Sequence, residues 1–196
     1  GLCVKVTDKK AGCREWSDEF KIIKQFMEPI NRTSIYNELK MVRIVEPISF
    51  KETDTLCYMV LPRVYRPGGR DDIGPTIQPL LGEKSKDRTY PGRGQLIGLE
   101  QIRDYVSDED IRIASYELGI VLAMIHHIGK NDAYDVEVYL GKEYNTKKCR
   151  FYFADFDQAR NIERYDTNTI ERLTWSMDAI YYFPRQTSTL NCSNYL

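Results

Sequence analysis

The sequence predicts an α+β fold built in two parts. Three observations point to it. Residues 2 to 61 alternate strand-like runs with one amphipathic helix pattern. Residues 66 to 94 are rich in glycine, proline and charge. Beyond them, one long apolar helix pattern is followed by two further strand-like runs.

The elements follow in order. LCVKV at 2 to 6 alternates well enough for a strand, with Lys5 in its middle. It reads as a strand already under way, so further residues are expected ahead of Gly1. Residues 14 to 27 carry apolar side chains at 16, 20, 23 and 27, which is helical spacing with one face inward. Pro29 is expected to end that helix. MVRIV at 41 to 45 and LCYMVL at 56 to 61 read as strands, each closed by a proline, Pro47 and Pro62. Residues 66 to 94 read as a long mobile loop. A second unit begins near Leu96. Ser107 and Asp110 approach a capping box, and a helix is expected from about 109 to 128, with apolar positions at 111, 114, 118, 121, 122 and 125. Gly129 stops it. Strands are expected at 136 to 140 and 151 to 154, and a helix over 168 to 180.

Composition sets the bounds. A chain of 196 residues with 42% hydrophobic content can bury a core, as one domain or two small lobes. The formal charge of -1 is not that of a nucleic-acid-binding chain overall, and no DNA partner is expected. No apolar run approaches the ~18 residues of a membrane span. Five scattered cysteines and no signal peptide predict reduced thiols and a cytoplasmic protein. With only His126 and His127, and no cysteine at ligand spacing, no metal site is expected.

The stretch from 114 to 160 concentrates the chemistry. Asp132, Asp135, Glu137 and Asp155 sit among apolar residues, with Asp157 two beyond and expected to face solvent. Buried carboxylates are costly unless paired, hydrogen-bonded or bound to a cation. The set reads either as a site or as a series of turn formers and caps. Several carboxylates in one pocket suit a guanidinium, held by charge-assisted hydrogen bonds. Arg63, Arg66, Arg70, Lys84, Lys86, Arg88 and Arg93 cluster in or beside the long loop, either solvated or in contact with phosphates.

This order resembles the protein-kinase and aminoglycoside-phosphotransferase fold. Lys5 sits where the kinase strand lysine sits, and Glu19 where its helix partner would be. His126 and Asp132 fall near a catalytic loop, Glu137 stands where the metal-binding asparagine would be, and Asp155 in ADFD sits like the aspartate of D-F-G. No G-x-G-x-x-G loop is present, and PGRG at 91 to 94 is short and misplaced. The resemblance implies a protein-kinase-like two-lobed fold: residues 1–65 as a small strand-rich lobe, 66–95 as a linker, and 96–196 as a helical lobe.

A closer resemblance covers most of the chain. WSDEF at 16 to 20, LAMIHH at 122 to 127, DAYDVEVYLG at 132 to 141, YFADFD at 152 to 157 and YYFPR at 181 to 185 fall in the order of a fungal domain family often mislabelled as zinc fingers. Some of its members are arginine-containing cyclodipeptide synthases. The resemblance implies condensation of arginine, delivered by arginyl-tRNA and in contact with the basic loop residues, with a second amino acid that a second aminoacyl-tRNA can deliver. It implies catalytic roles for Asp132, Glu137 and Asp155, and substrate contacts for Lys5, Glu19, His126, Asp135 and Asp157. No cofactor is then expected. The alternatives are a kinase-like phosphotransferase using ATP and Mg²⁺, or a catalytically inactive kinase-like binding module.

Overall fold

A computed structural model describes residues 1–7, 10–67, 77–80, 88–89, 95–143, 146 and 148–179. They form a mixed α/β structure with two sheets and five helices among the described residues. Strand β1 (Leu2–Thr7) leads to α1 (Lys10–Asn31), the short α2 (Ser34–Glu38), and strands β2 (Val42–Ile44), β3 (Ser49–Glu52) and β4 (Cys57–Pro62). Then come β5 (Ile77–Leu80), β6 (Arg88–Thr89), β7 (Gln95–Gly98) and α3 (Leu99–Ile102). The remainder is α4 (Asp108–His127), β8 (Glu137–Lys142), β9 (Cys149–Ala154) and α5 (Thr167–Ala179).

The first sheet is antiparallel, in the order β1-β4-β3, with Lys5 opposite Met59 and Thr7 opposite Cys57. On β4 the side chains of Cys57, Met59 and Leu61 are buried and alternate with more exposed ones, the period of a half-buried strand. Phe20 of α1 and Phe50 of β3 pack on the same apolar group as Met59 and Leu61. Helix α1 therefore lies on the face of the sheet to which Lys5 also points.

The second sheet runs β2-β9-β8-β5-β7-β6. Strands β8 and β9 form a hairpin in which Glu137 pairs with Ala154. Strand β2 comes from the N-terminal stretch yet lies parallel to β9, Val42 opposite Phe151. The two sheets therefore do not divide between the two stretches of chain. Glu117 of α4 holds β2 in place. Its buried carboxylate accepts the backbone N–H groups of Lys40, Met41 and Val42 at 2.7, 2.7 and 3.0 Å. Helix α4 and helix α1 share one core with β8 and β9. Gly129 ends α4 against α1: a Cβ there would stand 2.8 Å from Phe26 Cβ.

Several expectations are met: β1, β8, β9, the Ser107 cap and α4 lie within a residue or two of where the pattern put them. Four are corrected. Helix α1 runs through Pro29 to Asn31, because a proline in the last turn forfeits one hydrogen bond and the next turn closes with three-residue bonds, Arg32 N to Pro29 O and Thr33 N to Ile30 O. The short α2 and β3 were not anticipated; α2 starts on the Thr33 side chain, which accepts the Tyr36 N–H at 3.3 Å. The stretch 66 to 94 is no uniform loop, because β5 runs parallel to β7 and antiparallel to β8. Finally, the thiols are not all reduced: Cys13 and Cys57 form a disulfide between α1 and β4. Packing brings together residues 44 apart, a pairing that spacing alone does not show. Cys3 and Cys149 are free, and Cys192 lies outside the described residues.

Candidate functional site around Lys5, Glu19 and Asp155

Strand β1 delivers Lys5 and helix α1 delivers Glu19, as the spacing led one to expect. Lys5 Nζ lies 3.6 Å from Glu19 Oε2 and 3.6 Å from Asp155 Oδ1. The ammonium thus bridges a carboxylate of the helix and one just beyond β9. The Glu19 side chain is only 2% exposed, whereas that of Asp155 is 43% exposed. The cluster has a buried floor and an open mouth.

The turn after β9 is built to hold this arrangement. Phe156, between the two aspartates, is fully buried against Phe26, ring centroids 4.9 Å apart. Phe26 lies seven residues beyond Glu19, two turns along one face of α1. The Phe156 backbone also hydrogen-bonds the Glu19 carboxylate. Anchoring Phe156 on α1 therefore sets Asp155 and Asp157 beside Glu19. Asp155 has φ 63°, in the left-handed region that aspartate enters more readily than most non-glycine residues.

The electrostatics are lopsided. Burial raises the Glu19 carboxyl above its ordinary value, Lys5 opposes that, and Asp155 and Asp157 add to it. Asp157 is likewise raised, by burial first, then by Asp155 and Asp135, with Lys5 opposing. Glu19, Asp155 and Asp157 therefore form one electrostatic group around Lys5, with Asp135 acting on Asp157. Asp157 and Asp135 are exposed, Asp157 as expected, and the Asp135 carboxylate accepts from Gln158 Nε2 at 2.8 Å. Glu137 stands at the start of β8, half-buried, and accepts the Tyr139 hydroxyl.

Asp132 is used differently. It is 3% exposed. Its Oδ1 accepts the backbone N–H groups of Tyr134 at 3.1 Å and Arg160 at 2.8 Å. Its Oδ2 takes both Nε and Nη2 of Arg172, at 2.8 and 2.6 Å. The Arg172 guanidinium also lies over the Tyr134 ring, 4.6 Å from its centroid. Neighbouring Lys130, Ala133 and Asp135 all have positive φ, so the loop from 130 to 135 is held in a costly conformation. Hydrogen bonds from Asp132 and Ile162 to the chain across from them, at 2.9 and 2.6 Å, stitch it to residues 160–162.

His126 is buried at the end of α4, with its pKa lowered to about 4, chiefly by desolvation. It is hydrogen-bonded to the Asp132 backbone, and its Nε2 has no hydrogen-bond partner among the described residues. It is thus a neutral imidazole in the core beneath the loop.

Of the basic loop residues, Arg63 lies over the Tyr65 ring at 4.8 Å, and Arg66 is half-exposed. Arg88 is on β6. Arg70, Lys84, Lys86, Arg93, the PGRG segment, Tyr181, Tyr182 and Arg185 lie outside the described residues. Among the described residues, no group of three or more His, Cys, Asp or Glu side chains is arranged to hold a metal ion, and no helix is long and apolar enough to cross a membrane. Sequence reasoning missed Tyr134 and Arg172 as partners of Asp132, and Phe156 as the anchor of the acidic turn. The one available signal was an apolar residue between two aspartates. No protein family matches the chain, and no curated protein or solved structure matches it.

Proposed function

We propose that the chain has a protein-kinase-like two-lobed fold and acts in the cytoplasm as an arginine-containing cyclodipeptide synthase, taking arginine from arginyl-tRNA. The observation that carries this reading is Lys5 held between Glu19 and Asp155, with Asp157 and Asp135 adding negative charge that Lys5 alone does not offset among the described residues. Such a mouth attracts a cation, and a substrate arginine brings two, its guanidinium and its α-ammonium. The reaction asks little more of the protein. The amine of the second amino acid attacks the arginyl ester carbonyl; a C–N bond forms, the ester C–O bond breaks, and the terminal hydroxyl of the tRNA leaves with a proton. A second attack of the same kind, on an activated carbonyl of the partner residue, closes the ring. Before attacking, each amine must lose a proton. A carboxylate with raised proton affinity at the open mouth suits that role, and Asp157 is one. In this reading Asp155 orients the substrate cation, while Glu19 fixes Lys5.

The same triad favours a second reading, a phosphotransferase. There the lysine would meet nucleotide phosphates, and the oxygen donors of Asp155 and Asp157 suit Mg²⁺. One experiment separates the two. Purified protein is supplied with arginyl-tRNA and a second aminoacyl-tRNA, without nucleotide, and products are analysed by mass spectrometry. A cyclic dipeptide containing arginine is expected. A strict requirement for ATP, with phosphate released, returns the protein to the phosphotransferases.

A further inference from the structure

We infer that Asp132 and Tyr134 form a guanidinium-binding site, and that Arg172 of α5 is its resting occupant. The inference rests on the arginine reading for the ligand it names. The site itself is visible without that reading. Asp132 Oδ1 is fixed by two backbone N–H groups, which leaves Oδ2 to face the guanidinium. The Tyr134 ring supplies a flat surface for it. The loop carrying both residues is held with three positive φ angles, so the site is pre-formed rather than moulded by its occupant. The occupant arrives from a separate helix that begins on Asp166, whose carboxylate accepts the Thr169 N–H at 2.9 Å. Helix α5 turns Thr167, Asn168, Ile170, Glu171 and Thr174 to solvent and reaches inward with Arg172. The guanidinium end remains partly open, the Arg172 side chain being 23% exposed.

A substrate arginine carries the same planar fork. It can take the place of Arg172 on Asp132 and Tyr134, and α5 then lifts from the loop. Arg172 thus keeps a buried carboxylate neutralised until substrate arrives, and the release of α5 reports that arrival.

The probe is L-arginine methyl ester, with L-lysine methyl ester as control, and the readout is amide hydrogen exchange of the full chain together with calorimetric affinity. Arginine ester should raise exchange over residues 167–174 severalfold, and lysine ester should not. Arg172→Lys keeps a charge but loses the fork and the stacking. It should bind arginine ester about ten-fold more tightly than the wild type, because the competitor is weakened. Asp132→Asn should lose the response. Unchanged exchange in α5 with bound arginine ester, no binding of the ester, or an Arg172→Lys affinity no tighter than wild type, would each overturn the inference and leave a structural ion pair. If an arginine-containing product still forms in the synthesis assay, the proposed activity stands even where this inference falls.

Discussion

Glu117 and Glu19 are both buried glutamates on helices, and they are satisfied in opposite ways. The Glu117 carboxylate takes three backbone N–H groups and fastens β2 to α4. The Glu19 carboxylate is favoured by the Phe156 backbone, but among the described residues its Oε2 makes no hydrogen bond and has the Lys5 ammonium 3.6 Å away. A carboxylate saturated by backbone is part of the frame. One left facing a single cation, with two further carboxylates nearby, is poised to interact with something else. The acidic residues of the loop differ as well: Asp132 is held by two backbone N–H groups and by the side chain of Arg172, whereas Asp155 is part-exposed with Lys5 between it and Glu19, and Asp157 is exposed.

The largest effect is expected at Glu117. Glu117→Ala leaves two buried N–H groups and one part-buried one without an acceptor, each buried one costing roughly 1–3 kcal/mol. A loss of about 5 kcal/mol in unfolding free energy is expected in chemical denaturation. A loss below about 1 kcal/mol would mean that β2 does not depend on this carboxylate, and the contrast with Glu19 would fail. Next comes the disulfide. Joining residues 44 apart, it is worth about 4 kcal/mol by the chain-entropy estimate. The Cys13→Ser, Cys57→Ser double variant should be destabilised by that order. Because the bond lies between the helix of Glu19 and the strand opposite Lys5, amide exchange in α1 should rise more than in β8 and β9.

Much of this was legible in the chain. Lys5 and Glu19 could be picked out through the resemblance to the kinase fold, which sets a lysine on a strand and its partner on the helix that follows. Glu117 gave no such signal, since a glutamate between Tyr116 and Leu118 on a long helix reads as ordinary solvated surface. Its donors lie some 75 residues away and are backbone N–H groups, which no pattern of side chains announces. Strand β5 was hidden for a related reason. Ile77, Gln78 and Pro79 are buried, yet a proline within a short run between glycine-rich stretches is a turn signal by composition. The pairing of Asp132 with Arg172 spans 40 residues, so the aspartate is legible as special while its partner is not.

A smaller effect concerns pH and His126. Its folded pKa of about 4 lies below the ordinary value of 6.5. The neutral form is therefore favoured by folding, and the stability it contributes is present above about pH 6.5 and is lost as pH falls toward 4. The loss is at most about 3 kcal/mol from this residue. Glu19 and Asp157, with raised values, favour the folded state at low pH and oppose the trend. Melting of wild type and His126→Asn between pH 7 and 4.5 separates the two: the variant should show the shallower decline. A parallel decline would place the acid sensitivity elsewhere.

The central claim is that the cluster of Lys5, Glu19 and Asp155 is the reacting site and that Glu117, held by backbone alone, belongs to its frame. The most direct test is Asp155→Asn, measured for cyclic dipeptide yield and for thermal melting in the same preparation. Asp155 lies on the open side, so the variant should melt within about 2 °C of wild type, as expected for surface substitutions. Its yield should fall by at least about ten-fold, the order of one charge-assisted hydrogen bond. Full yield at unchanged melting would contradict the account.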